Sequence, residues 1–165
     1  MNATITDESM RTSGSVSIEI DADAGMVYDL ISDVTRIGEW SPDCRRANWL
    51  DGEAGPAVGV RFKGHNKWKM SRWARICEIV AAEPGREFAF WTIPGHGPSA
   101  DSTTWRWDIE TAGDVTRVTQ SYEITKMPQR WFLPIVKRFM PHHLDMRDHI
   151  RQTLEALKTT AEQDG

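Results

Sequence analysis

The segment PHHLDMRDH, residues 141–149, carries the densest group of side chains that could do chemistry. If the segment is one continuous helix, His142, Asp145 and His149 lie within about 60° of one another on its surface. Two imidazoles and a carboxylate in that arrangement can bind a metal ion. Because no other residue supplies a further ligand at a recognisable spacing, we expect the edge of a solvated helix, with no metal and no other cofactor.

A second group of polar residues lies in VTQSYEI, residues 118–124. Period two places Gln120 and Tyr122 on the same strand face as the apolar Val118 and Ile124. Buried polar groups need hydrogen-bond partners. Each therefore bonds a neighbouring side chain or a buried water, or contacts a ligand, and the sequence is compatible with either interpretation.

The cysteines are a third candidate for chemistry. In IGEWSPDCRR, residues 37–46, Cys44 stands beside two arginines, and nearby cations can lower the pKa of a thiol. Neighbours along a strand point to opposite faces, however, which separates the thiol from the adjacent guanidinium. Cys44 and Cys77 also lack the paired spacing of a zinc site or a redox dithiol. We expect both to be structural.

Length and charge limit the classes of protein to consider. The chain has 165 residues, a formal net charge of −4 and a pI of about 5.7. This length fits one domain, and the interspersed charges do not form the basic patch of a nucleic-acid-binding protein. The first fourteen residues lack the apolar stretch of a signal peptide, and no later run is long enough to span a membrane. We expect a cytoplasmic protein with a disordered tail at residues 1–14 and a single domain at 15–162.

Alternation of apolar residues predicts a series of strands. In STTWRWDIE, residues 102–110, period two places Trp105 and Trp107 on one face, and VGVRFKG does the same from Val58 to Phe62. Short turns rich in Gly and Pro separate the runs, which is typical of an antiparallel meander. In residues 72–81 the apolar residues occupy both parities, so the inward row of that strand stays undecided.

Helical spacing occurs only near the two ends. Residues 24–32 predict a short helix, and a second short helical turn follows before Pro42. Toward the C-terminus, one stripe from Met146 to Ala161 predicts an amphipathic helix over 142–161, with His143 in the middle of the stripe. A curved antiparallel sheet wrapped around this helix, an α+β arrangement, covers both apolar surfaces and encloses a groove.

The order of these elements resembles that of the START or Bet v 1-like helix-grip superfamily (SRPBCC). The amino-acid sequence itself is similar to the bacterial polyketide cyclase/dehydrase branch of this superfamily. The resemblance implies a seven-stranded antiparallel sheet around a long C-terminal helix, with two short helices after the first strand. The similar segments are VYDLISDVTRIGEWSP (27–42), GPAVGVRFKGHN (55–66), EPGREFAF (83–90), TRVTQSYEI (116–124) and TLEALKTTAE (153–162).

A cavity between the sheet and the last helix follows from this resemblance, with EWSPDC at its lip. The expected ligand is a small hydrophobic molecule of polyketide, lipid or aromatic type. If the protein is an enzyme, the resemblance implies polyketide cyclisation or dehydration, with His143, Tyr122 and Gln120 as acid/base and orienting groups. The residues expected on the cavity wall are Trp40, Phe62, Asn66, Trp105, Trp107, Tyr122, His143 and Ile150.

Two other functions fit the same fold. The protein could be a carrier or sensor without turnover, or a toxin-like protein-interaction module of a two-gene system. The expected partner is the small hydrophobic molecule, without nucleic acid or a membrane span, and the sequence also allows a homodimer.

Overall fold

The computed structural model describes residues 10–97 and 100–165 of the chain. Its main feature is a seven-stranded antiparallel sheet with the strand order β1-β7-β6-β5-β4-β3-β2. The strands are β1 (Ser13–Ile20), β2 (Cys44–Trp49), β3 (Arg61–Trp68), β4 (Ser71–Glu83), β5 (Glu87–Thr92), β6 (Ser102–Ala112) and β7 (Val115–Lys126).

Helices occur after β1 and after β7, as the sequence predicts. The α-helices are α1 (Ala24–Ser32), α2 (Leu133–Phe139) and α3 (Arg147–Asp164). Short 3₁₀ helices lie at Val34–Glu39, Arg130–Phe132 and Pro141–Leu144. The two short helices after the first strand are thus confirmed as α1 and the 3₁₀ helix that follows it. None of the described helices is long and apolar enough to cross a membrane.

The period-two pattern places the aromatic residues of β6 on the concave face of the sheet. Trp107 is 4% exposed and pairs across the strands with Gln120 of β7, while Trp105 pairs with Tyr122. The same pattern fails at Val58, which is largely exposed because β3 begins only at Arg61. The strand therefore begins three residues later than Val58, although Val60 still packs against the core.

The apolar residues of β4 occupy both parities because Ile76 and Val80 point outward, where they are 40% and 41% exposed, and because a β-bulge follows Ile79. Trp73, Arg75 and Cys77 face the interior, so the inward row contains the arginine and Glu78 points away. The register shifts between Ile79 and Ala81, and beyond this shift the opposite parity packs on the core. One extra residue in a strand reverses which side chains face inward.

The C-terminal helix packs its apolar stripe against the sheet. Ile150, Leu154, Leu157 and Ala161 are at most 1% exposed. The helix begins at Arg147, however, so the prediction of one helix over 142–161 is wrong at its start. Asp145 has extended backbone angles and its carboxylate accepts a hydrogen bond from the Arg147 backbone N–H. A side-chain bond of this kind competes with helical hydrogen bonding and is typical of the boundary just before a helix. His142 and His143 consequently lie on the preceding 3₁₀ turn.

Two segments lie beside the sheet and α3. The segment between β7 and α3 contains α2, which buries Leu133 and Val136 and leaves Phe139 exposed, and Trp131 on the 3₁₀ helix before α2 is exposed too. The predicted tail at 1–14 lies mostly outside the described residues, and β1 already begins at Ser13. The single-domain assignment of 15–162 stays a prediction.

Truncation of Leu154 to alanine should lower the free energy of unfolding by about 2–5 kcal/mol, because a fully buried leucine leaves a cavity when it is shortened. Urea denaturation followed by circular dichroism measures this change. Glu155→Ala is the matched control. The Glu155 side chain is next to Leu154 in sequence but exposed, so its truncation should change the free energy of unfolding by less than about 0.5 kcal/mol. Equal effects of the two variants would contradict the assigned helix face.

Candidate functional site

A cavity of about 200 Å³ lies between the concave face of the sheet and the start of α3. Its walls come from β2 to β7, from the segment before β2, and from the turn that precedes α3. The apolar part of the wall includes Ile37, Trp40, Phe62, Trp73, Phe90, Trp105, Trp107, Ile124, Met146 and Ile150. Aromatic rings dominate it: Phe90 lies 4.9 Å from Phe62 and 5.6 Å from Trp107 between ring centroids.

Most of the residues predicted to line the cavity are found there. The structure brings together Trp40, Phe62, Asn66, Trp105, Trp107, Gln120, His143 and Ile150. Trp40 is buried directly after the 3₁₀ helix, in agreement with its predicted place at the lip.

Tyr122 is the exception, because it is not among the residues that line the cavity. Its ring packs beside Trp105 at 5.9 Å between centroids, and its hydroxyl lies among the residues just before α3. The hydroxyl is 3.4 Å from the Arg11 carbonyl oxygen. Burial raises the pKa of Tyr122. The strand face was correct, but the segment that covers this part of the sheet could not be read from the strand alone.

Two residues that line the cavity each contain a buried polar atom without a partner. Within the described part of the chain, neither the Trp107 indole nitrogen Nε1 nor the Gln120 oxygen Oε1 makes a hydrogen bond. The two residues face each other across β6 and β7. One is a donor and the other an acceptor, so together they can bind a hydroxyl group that enters the cavity, whereas a carbonyl oxygen would accept from the indole alone.

Four ionisable side chains meet on another part of the wall. The Asp43 carboxylate lies 3.1 Å from His142 Nε2 through Oδ2 and 3.1 Å from His149 Nε2 through Oδ1. His143 Nε2 is 3.7 Å from Oδ2. All four residues line the cavity. We call them the Asp43 cluster.

Aromatic contacts fix the imidazoles of this cluster. The rings of His142 and His149 stack at 4.3 Å, and Trp68 covers His142 at 4.2 Å between centroids. His143 meets Trp73 edge-on at 5.9 Å. The packing leaves each ring little freedom to turn away from the carboxylate.

The pKa values of the cluster favour one ionised carboxylate beside a neutral imidazole. Burial alone would raise the pKa of Asp43, but hydrogen bonds from the three histidines outweigh it and hold that pKa well below its usual range. Burial lowers the pKa of His142 more strongly than the nearby carboxylate raises it. At neutral pH His142 is therefore uncharged.

Asp43 was missed by sequence reasoning, which grouped His142 and His149 with Asp145 instead. The Asp145 carboxylate bonds to Arg147 at 2.6 Å and lies 3.7 Å from Arg11. Asp43 is 99 residues from His142 and belongs to the lip of the cavity. A pair of residues this far apart in sequence produces no local spacing pattern that could predict their contact. The segment that contains Asp43 was nevertheless predicted from sequence to lie at the lip of the cavity.

The remaining charges on the wall are paired, and the thiols are protonated. Arg75 donates to the Asp101 carboxylate at 2.8 Å. Burial raises the pKa of Cys44 to about 11 and that of Cys77 to about 12. Neither thiol has the thiolate character of a nucleophile.

The sequence matches one family over almost its whole length. Residues 11–162 fit the family described as polyketide cyclase / dehydrase and lipid transport. The chain belongs to this family. Its helix-grip architecture, with a seven-stranded antiparallel sheet around a C-terminal helix, is the START and Bet v 1-like fold that the sequence predicted. None of the curated proteins matches the chain.

Solved structures with the same fold come from several organisms. The Polyketide_cyc-like protein of Corynebacterium glutamicum is 32% identical to this chain, with a TM-score of 0.63. The aligned region covers 93% of each of the two chains. A START superfamily protein of Mycobacterium smegmatis is 16% identical, with 93% and 99% covered and a TM-score of 0.66. The major latex-like protein 151 of Panax ginseng is 17% identical, with 92% and 99% covered and a TM-score of 0.63.

The buried thiols should react slowly in the native protein. Raising the pKa of Cys44 from 9.0 to about 11 lowers its thiolate fraction at pH 7.5 about 100-fold. Ellman's reagent should therefore modify the native Cys77→Ser variant at least about 100-fold more slowly than the same variant in guanidinium chloride. A native rate equal to the unfolded rate would show that Cys44 is accessible and activated.

Proposed function

We propose that this protein binds a small, mostly apolar molecule that carries one hydroxyl or carbonyl group, in the cavity between the sheet and α3. The family membership supports a hydrophobic ligand. The pair of unpartnered atoms, Trp107 Nε1 and Gln120 Oε1, is the observation that carries the polar part of the proposal. Buried polar groups without partners cost free energy, which a complementary ligand atom recovers.

The size of the cavity restricts the ligand. An engineered apolar cavity of about 150 Å³ binds benzene, and pockets for drug-sized ligands start at about 300 Å³. The cavity of about 200 Å³ fits a substituted single ring or a short acyl chain. Its aromatic walls favour a ring, because ring pairs gain from edge and offset contacts beyond the area they bury.

A second candidate function is proton transfer on such a ligand, as in polyketide cyclisation or dehydration. The observation that favours it is His143, which lines the cavity and is backed by the Asp43 carboxylate. An imidazole oriented by a carboxylate is a common general base. Gln120 would then orient the ligand, while the buried Tyr122 does not reach it.

A matched pair of probes tests the binding proposal. p-Cresol and toluene differ by one hydroxyl, so p-cresol should bind about 3- to 10-fold more tightly if one additional hydrogen bond forms. Both should raise the melting temperature, since any ligand that favours the native state does so. Isothermal titration calorimetry measures the two affinities.

Variants identify the groups responsible for this preference. Gln120→Leu should reduce the preference for p-cresol while toluene binds as before, and Glu123→Gln, an exposed residue of the same strand, should change neither. The proposal fails if neither probe, nor octanoate as an acyl probe, binds the wild-type protein. Equal affinity for p-cresol and toluene would contradict the role of the Trp107 and Gln120 pair.

His143→Leu separates binding from catalysis. A carrier should keep its affinity for toluene, because the cavity wall only becomes more apolar. An acid/base enzyme should also keep binding but lose turnover of a poly-β-ketone thioester by about 10²- to 10⁴-fold. Chromatographic detection of the cyclised product measures this loss, and an unchanged rate in the variant would exclude His143 as the base.

A further inference from the structure

The Asp43 cluster contains more potential ligand atoms than the binding of an apolar molecule requires. A carboxylate oxygen and two imidazole nitrogens, from Asp43, His142 and His143, all lie within 4.8 Å of one another. We propose that these three residues bind a divalent transition-metal ion of the zinc type on the cavity wall, and that His149 positions the carboxylate.

The distances between the ligand atoms fit a tetrahedral ion. Zinc binds histidine nitrogen and carboxylate oxygen at about 2.0–2.2 Å, which places neighbouring ligand atoms of a tetrahedron about 3.4 Å apart. Asp43 Oδ2 lies 3.1 Å from His142 Nε2 and 3.7 Å from His143 Nε2. These two distances are within a few tenths of an ångström of the tetrahedral value, and the two histidine nitrogens lie within 4.8 Å of each other.

The packing of the cluster agrees with metal binding. Metal ligands must be deprotonated carboxylates and neutral imidazoles. The His142 ring stacks on that of His149 at 4.3 Å and meets that of His143 edge-on at 4.4 Å between centroids, so the imidazoles are held together beside the Asp43 carboxylate.

His149 supports the site without entering it. Its Nε2 lies 3.1 Å from Asp43 Oδ1, the oxygen that is not directed at the other two histidines. Hydrogen bonds of this kind orient metal-binding carboxylates, and their loss typically weakens metal binding 10- to 100-fold. His149 is thus a positioning residue.

The position of the site gives the ion an open coordination place. His142, His143 and Asp43 all border the cavity, and sites with three protein ligands leave the fourth tetrahedral position to water or to a ligand oxygen. Binding of the ion does not depend on the proposed binding of an apolar molecule, because it requires only Asp43, His142 and His143.

Cobalt provides a direct test. The full-length protein is treated with EDTA, dialysed and titrated with Co²⁺, and its visible absorption is recorded. We expect one equivalent of Co²⁺ with the intense absorption of tetrahedral coordination, which Zn²⁺ then removes by displacement. Zn²⁺ should also raise the melting temperature.

Variants locate the ion. Asp43→Asn and His143→Ala should each weaken Co²⁺ binding at least about 100-fold, and His149→Ala should weaken it about 10- to 100-fold. The matched control His96→Ala removes an exposed histidine far from the cluster in sequence and should bind like the wild type. Circular dichroism and melting in EDTA check that each variant is folded.

Two results would overturn the proposal. One is a wild-type protein that takes up no Co²⁺ with tetrahedral absorption at concentrations up to about 1 mM. The other is a folded Asp43→Asn variant that binds Co²⁺ as tightly as the wild type. Toluene binding measured on the EDTA-treated protein keeps this test separate from the binding proposal, since the apolar wall does not need the ion.

Discussion

The contact between α3 and the concave face of the sheet is the constraint on which the rest of the structure depends. Four residues of one helical stripe, from Ile150 to Ala161, are almost completely buried against side chains of the strands. Neither surface is stable in water alone, because the sheet exposes aromatic rings and the helix exposes leucines without the other. The cavity exists because this contact is tight along the middle of α3 and incomplete near its start.

The end of the cavity near α3 collects the polar groups for the same reason. The backbone is extended at Asp145, which separates a 3₁₀ turn from α3. His142 and His143 therefore lie at the lip on the 3₁₀ turn, and His149 lies there on the first turn of α3. Asp43 enters from the opposite side, just before β2. The apolar wall and the Asp43 cluster therefore form two halves of one site, one suited to a ring or acyl chain and the other to a cation or a proton.

The parts of this arrangement that follow from local patterns could be predicted from the sequence. Trp105 and Trp107 alternate strictly, so their shared face is determined by the geometry of a strand. Leu154 and Leu157 follow helical spacing and are buried as expected. Family resemblance then supplied the wrapping of one element around the other.

The sequence was insufficient where local backbone geometry or a contact distant in sequence modifies a regular pattern. A bulge after Ile79 shifts the register of β4, whose inward row the sequence left undecided, and a bond from the Arg147 backbone to the Asp145 side chain precedes the late start of α3. Tyr122 lies on the correct face but is covered by residues just before α3. The pairing of Asp43 with His142 becomes visible only in the folded structure, where the lip of the cavity contacts the 3₁₀ turn before α3. No sequence-spacing rule predicts a contact between residues this far apart.

The most direct measurement of the central claim is the ¹⁵N–¹H spectrum of the eight tryptophan indoles during titration with p-cresol. The Trp107 indole resonance, assigned with a Trp107→Phe variant, should move downfield as its unpartnered N–H donates to the ligand hydroxyl. The resonance of Trp131, which is 61% exposed on the 3₁₀ helix before α2, should stay in place. A Trp107 signal that does not move while p-cresol binds would place the ligand elsewhere and contradict the account of this cavity.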